Sequence, residues 1–207
     1  MIALRHYQID VLDRARGRLR SGLKRGIIQG QTGSGKTVVG AELCRSALAK
    51  GSRAELAVEM LTEVGVDVIV PWAAARSVVH WSPERADKGL ARWRSAARES
   101  SKQARRVWLP DVRALSTTEQ VCRLLAAAGT PVVLHESGRR SADEVSVSGV
   151  GDVVLVIGPE GGFSDEELAS FESAGAVSMR LGDTVLRTST AGVAGAAVLL
   201  SGTARWS

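Results

Sequence analysis

Three stretches of this 207-residue chain combine residue types that could do chemistry. The first is GQTGSGKT, residues 30–37. Gly30, Gly35, Lys36 and Thr37 fit the Walker A pattern G-x-x-x-x-G-K-[ST], with Gly33 inside the turn. In that pattern backbone N–H groups cradle phosphates, the lysine reaches the outer phosphates and the hydroxyl holds Mg²⁺. The flanks suit it, because residues 26–29 predict a short strand and residues 38–49 a helix. Sustained hydrolysis of ATP also needs an acidic strand end for Mg²⁺ and an arginine from a second domain. After Lys50 no hydrophobic run ends in Asp-Glu, and the nearest, VVLHE, ends in Glu136. The motif therefore predicts phosphate binding at most, with ATP and Mg²⁺ as its natural ligands and no sustained turnover.

The second stretch is VVLVIGPEGGFSDEEL, residues 153–168: a buried strand, a turn with three glycines and a proline, then a helix. Ser164 and Glu167 have the spacing of a capping box, which fixes the helix start. Glycines at the carboxyl end of such a strand let a ligand lie directly against the backbone, where open α/β sheets bind ligands. The third stretch, LGDTVLRTSTAG at 181–192, leads into a helix with small residues at Ala191, Gly192, Gly195 and Ala196. That face fits either a subunit interface or a helix packed tightly on its own core. Cys44 and Cys122 are too few and too far apart for a disulfide framework, and no metal site is expected.

Positioning these stretches falls to alternating helices and strands, the pattern of an α/β protein with a largely parallel sheet. Helices are expected over 53–64, 84–105, 117–128, 165–173 and 189–200, and strands over 66–70, 131–134, 153–157 and 176–180. Residues 138–151 are polar and rich in Gly and Ser, and predict a loop. A composition of 44% hydrophobic and 24% charged residues is that of a soluble globular chain. The longest apolar stretch, 191–200, is too short for a bilayer, and no secretory apolar region opens the sequence. A cytosolic protein with no membrane partner is expected. Charge is uneven: the first fifty residues hold ten Lys/Arg against three Asp/Glu, and the remainder holds 17 against 19. Within the remainder Lys88, Arg92, Arg94, Arg98, Lys102, Arg105 and Arg106 recur at helical spacing. They form either a solvated face or a surface for RNA phosphates.

Over about residues 50–206 the chain resembles the ribosomal RNA small subunit methyltransferase E family, the 16S rRNA uracil-N3 methyltransferases of the SPOUT class. The matching stretches are KGSRAELAVEMLTEVGVDVIVPWAAARSVVHW, ARWRSAARESSKQARRVWLPDV, VVLHE, VIGPEGGFSDEEL and LGDTVLRTSTAG. Asp183 and Ser189 stand where the family often has proline and glutamate. The resemblance implies a SPOUT-type parallel sheet flanked by helices, with a C-terminal trefoil knot. It further implies S-adenosylmethionine as methyl donor, 16S rRNA and the small ribosomal subunit as partners, and a homodimer. The cofactor would be contacted by Leu134, His135 and Glu136; by Ile157, Gly158, Pro159, Glu160, Gly161 and Gly162; and by Leu181, Gly182, Val185, Leu186 and Arg187. Arg187 would stabilise charge on the uracil oxygens, or else make a structural or phosphate contact. His135 would line the pocket or sit as a satisfied core histidine.

Residues 1–46 resemble instead the first motifs of superfamily 2 helicases, with Gln8 as the adenine-contacting glutamine beside Lys36 and Thr37. The expected organisation is thus an incomplete P-loop-like β-α segment over 1–49 and a SPOUT methyltransferase domain over 50–207, with the seam at 47–53. The family's N-terminal RNA-binding barrel is not seen in this sequence, so impaired RNA methylation is expected. The strand at 26–29 and the helix after it could replace the first βα unit of the sheet. The rival reading is a nucleotide-binding, helicase-like fragment fused to a catalytically inactive SPOUT dimer.

Overall fold

The computed structural model describes residues 37–41, 53–76, 83–147, 151–203 and 206. In chain order the elements are β1 (Thr37–Ala41), α1 (Arg53–Glu63), β2 (Val68–Val70), α2 (Pro83–Gln103), β3 (Asp111–Val112), α3 (Thr118–Ala126) and β4 (Thr130–Leu134). There follow β5 (Arg140–Ser141) with a 3₁₀ turn (Ala142–Glu144), β6 (Val153–Ile157), α4 (Asp165–Ser173), β7 (Val177–Arg180) and α5 (Thr188–Ser201). The sheet runs β3-β2-β1-β6-β4-β7-β5, and every pairing in it is parallel.

Both faces of the middle of this sheet are covered, which is why β2 and β6 read as unbroken apolar runs. Along β6 the period of two sends Val153, Leu155 and Ile157 to one face and Val154 and Val156 to the other. On the first face lie Leu61 of α1, Trp93 of α2 and Leu199 of α5. On the second lie Val121 and Leu125 of α3, Phe171 of α4 and the aromatic rings of Trp72 and Phe163. Burying each such side chain contributes about 1.5–3 kcal/mol.

The expected helices and strands between residues 53 and 201 fall within a few residues of their sequence positions, and two features differ. Thr37–Ala41, expected to open a helix, is an interior strand of the sheet. It pairs with β2 (Val38↔Val68) and with β6 (Thr37↔Val153, Ala41↔Ile157). Two open parallel edges offer a Thr-Val-Val segment more hydrogen bonds than an isolated helical turn can, and β-branched residues suit strands. The strand in this place is therefore 37–41. The expected strand at 26–29 and the remainder of the expected helix lie outside the described residues. Second, the loop expected over 138–151 contains β5, which pairs with the outer side of β7 (Arg140↔Met179).

Helix ends follow local chemistry. Thr117 and Gln120 close a reciprocal capping box on α3. At the end of α2, Arg106 N–H reaches the Ser101 carbonyl while Arg105 takes φ 53 in the left-handed region. The Arg106 guanidinium then turns inward. It donates to the Thr62 carbonyl (2.9 Å) and the Asp67 carboxylate (2.8 Å), and both charged side chains are nearly buried. Arg106 is a pin between α1, β2 and α2, not part of an RNA-facing stripe. Arg94 donates to the Val112 carbonyl and Lys102 pairs with Glu99, leaving Lys88, Arg92 and Arg98 as exposed cations of α2 with no ion pair among the described residues.

Candidate functional site

Parallel register gathers the glycine-rich stretches at one end of the sheet. Leu134 at the end of β4 aligns with Ile157 at the end of β6 and with Met179 near the end of β7. The segments that follow, 135–139, 158–163 and 181–187, therefore leave the sheet side by side. They are tied directly. His135 N–H donates to the Met179 carbonyl (3.0 Å), and the Thr188 hydroxyl donates to the Gly158 carbonyl (3.1 Å). Gly138 lies so close to β7 that a Cβ there would come within 2.5 Å of the Met179 carbonyl carbon.

The 158–163 turn is held from below. Phe163 is buried, stacks on Trp72 at 5.8 Å between centroids and meets Phe171 edge-on at 5.9 Å. Its ring fills the space where a Cβ on Gly158 would sit. Ser164 and Glu167 form the expected capping box. Glu167 does more: its carboxylate, 4% exposed, accepts from Ser164 N–H (2.8 Å) and also from Ala75 N–H (2.6 Å). One buried carboxylate thus ties the segment after β2 to the glycine turn. That second bond joins residues far apart in sequence, so the capping signature could not reveal it.

Gly158, Glu160, Gly161, Gly162, Gly182 and Arg187 come together here at or near the surface, with Pro159 buried beneath the turn. Val185 is 76% exposed and Leu186 partly so. Leu134 and Ile157 lie in the core, where their side chains meet α5 beside Gly195 and Gly192, so only their backbones face the loops. A Cβ on Gly195 would lie 2.7 Å from Leu134. The small-residue stripe of α5 therefore packs on its own sheet. His135 is half-buried, and its Nδ1 accepts from Ser137 N–H (3.1 Å), which leaves Nε2 to carry the ring proton when neutral. Glu136 is exposed beside it.

Gly161 was expected to bare its backbone to a ligand, but its missing Cβ points at Arg76, 3.0 Å from that residue's carbonyl oxygen. Gly182 and Gly162 have nothing within 4 Å of where a Cβ would be. Gly162 has φ 69, in the left-handed region that itself favours glycine, so Gly182 is the position open on both counts. A cavity of about 710 Å³ adjoins the site, lined by Ser141, Asp143, Val147 and Val198 and sharing Leu181 and Gly182 with the candidate loops.

Beside the glycine turn, Arg76 faces the acidic first turn of α4. The Glu166 carboxyl is held below the usual glutamate range by its own backbone N–H and by the Ser164 hydroxyl, and the positive charge of Arg76 acts in the same sense. Cys122 is half-buried and desolvation raises its thiol, so it is no ready nucleophile.

The Walker A threonine is elsewhere. Thr37 pairs with Val153, the first residue of β6, so it lies at the opposite end of the strands from Gly158. A phosphate cradle needs its threonine to open a helix, and this one sits in a strand. Gln8, Gly30, Gly33, Gly35 and Lys36 lie outside the described residues.

Comparison with known proteins gives the family. An RNA methyltransferase domain matches residues 43–200, and the res subunit of type III restriction enzymes matches residues 1–62. A protein of Mycobacterium bovis named ribosomal RNA small subunit methyltransferase E is 42% identical over 164 residues. The match takes in 77% of this chain and 63% of that one, so the chain spans less than two thirds of its relative. A methyltransferase of Legionella pneumophila, solved with bound SAM, superposes with a TM-score of 0.73 at 30% identity, over 80% of this chain and 66% of that one. The Neisseria gonorrhoeae ribosomal RNA small subunit methyltransferase E, bound to S-adenosyl methionine, gives 0.71 at 26% identity, over 81% and 66%. With a family match over three quarters of its length and a relative 42% identical over 164 residues, the chain belongs to the RNA methyltransferase family.

Proposed function

We propose that the chain transfers a methyl group from S-adenosylmethionine to N3 of a uridine in 16S rRNA of the small ribosomal subunit. The observation that carries this reading is the convergence of the segments after β4, β6 and β7 into one cluster, tied by the His135–Met179 and Thr188–Gly158 hydrogen bonds. The cluster fits a cofactor at Gly162 and Gly182, where a ligand would meet bare backbone. The residues that would hold it are His135 and Glu136, 158–162, and 181–187, with Leu134 and Ile157 contributing backbone. When bound, S-adenosylmethionine supplies an electrophilic methyl group.

The chain's own task is alignment and charge. Holding acceptor and donor in line replaces a bimolecular encounter with an intramolecular one, an effect worth several orders of magnitude. N3 must give up its proton to solvent before it attacks, and the negative charge of the deprotonated base is shared with the uracil oxygens until the methyl group is transferred. Arg187, exposed at the start of α5, would neutralise that charge. A target base in a duplex would first have to leave its stack.

The same reading includes a trefoil knot. β4 and β5 lie on either side of β7 yet are joined by only residues 135–139. Together with the close passage of Gly138 over Met179, this supports a chain that threads that loop after Arg180. A homodimer would cover Val185 and Val198, which are 76% and 40% exposed. We place the protein in the cytosol; among the described residues no helix is long and apolar enough to cross a membrane. The domain boundary lies before Thr37 in this reading, since β1 completes the methyltransferase sheet.

Calorimetry with S-adenosylmethionine and with ATP on the same sample tests the assignment. Heat of binding with the first and none that is Mg²⁺-dependent with the second is the expected result. The reverse would return the chain to the nucleotide-binding reading.

A further inference from the structure

We propose that Arg76 is a substrate-binding residue that grips a phosphodiester of the RNA strand carrying the target base, and that Glu167 is the positioning residue that presents it. This rests on the RNA methyltransferase reading above and adds a residue that reading does not contain. The main chain of Arg76 is packed against the glycine turn, because a Cβ on Gly161 would meet its carbonyl oxygen at 3.0 Å and its own Cβ at 3.3 Å. One residue earlier, Ala75 N–H is bound by the buried Glu167 carboxylate at 2.6 Å. A backbone fixed on both counts carries a side chain that is exposed and has no ion pair among the described residues.

Arg187 adjoins the same turn, fixed through Thr188 and its bond to the Gly158 carbonyl. Two exposed arginines thus adjoin one turn, Arg76 with its backbone against Gly161 and Arg187 next to the Thr188 that bonds Gly158. The chemistry they offer is bidentate hydrogen bonding to an oxyanion, the geometry in which arginine surpasses lysine. Methylation of one base leaves the phosphates of its strand within reach of the mouth, and a polyanion needs cations there to be held in register. The net charge of +5 on the chain favours the encounter but cannot fix register, and a tethered arginine can.

The test uses the full chain with a 16S-derived RNA fragment in filter binding across salt, and S-adenosylmethionine in calorimetry. Arg76→Ala should weaken RNA binding severalfold and flatten the slope of log K against log salt by about 0.7–0.9, the loss of one phosphate contact. Arg76→Lys should restore the slope. Cofactor affinity should stay within about twofold in both. Glu167→Gln, which keeps one acceptor oxygen, should weaken RNA binding in the same direction, and adding it to Arg76→Ala should cost nothing further, as coupled residues require. Unchanged RNA affinity and slope in Arg76→Ala would overturn the proposal, as would wild-type chain that binds no RNA. A loss confined to the cofactor would reassign Arg76 to the cofactor's carboxylate. Methylation of the same RNA by wild-type chain reports separately on the underlying reading, so the two can fail independently.

Discussion

At the scale of single residues, the glycines of the loops divide into those the protein itself needs and those left open for a ligand. Gly158 and Gly161 are small because Phe163 and Arg76 occupy the space beside them. Valine at Gly161 would disturb the protein before it touched any ligand. Gly182 is the cleaner probe, since nothing lies within 4 Å of its missing Cβ. Gly182→Val should leave the melting temperature within about 2 °C, as exposed substitutions generally do. It should weaken S-adenosylmethionine binding about 5- to 150-fold, the consequence of about 1–3 kcal/mol of steric conflict. Calorimetry paired with a thermal melt checks both halves, and unchanged affinity would move the cofactor away from this loop. The loops were legible in sequence because glycine, proline and a capping box are local signals. Which glycine faces a ligand was not legible, because that depends on Arg76 and Phe163 arriving from elsewhere in the chain.

At the scale of elements, long-range contacts decide what local propensity leaves open. Arg106 sits on the same sequence period as Lys88 and Arg92, yet the turn after α2 swings it inward onto Asp67. Removing one member of a buried, hydrogen-bonded pair strands the other, at a cost of about 3–5 kcal/mol. Arg106→Ala should therefore lower stability by about that amount in a denaturant titration, whereas Arg92→Ala, on the exposed face, should change it by less than about 0.5 kcal/mol. Equal effects would show that Arg106 is not a pin. Gly138 offers a second comparison. A Cβ there strikes the backbone of Met179 at 2.5 Å, whereas one on Gly195 meets the movable tips of Leu134 and Leu155. Gly138→Ala should cost about 3 kcal/mol. Gly195→Ala should cost less than about 1 kcal/mol, since the gain in helix propensity offsets part of the crowding. β1 carries the same lesson. TVVG reads as a helix start only while the residues before it are taken as a phosphate loop, and the edges of β2 and β6 make it a strand.

At the scale of the whole molecule, the chain joins two sequence resemblances, and one of them supplies the fold. The region matched by the restriction-enzyme model runs to residue 62 and overlaps the methyltransferase match from residue 43. Within that first region Thr37–Ala41 serves the methyltransferase sheet as an interior strand between β2 and β6. Alternation of buried strands with amphipathic helices made the α/β class readable from sequence alone. The strand order was not readable, because neither β1 nor the two-residue β5 carries a signal that periodicity could detect. The most direct test of methyl transfer is to incubate the chain with methyl-labelled S-adenosylmethionine and 16S rRNA, digest the RNA and identify the labelled nucleoside by mass spectrometry. Label in N3-methyluridine, lost in Arg187→Ala, is the expected result. Label on another atom, or none while the cofactor is demonstrably bound, would contradict the assignment.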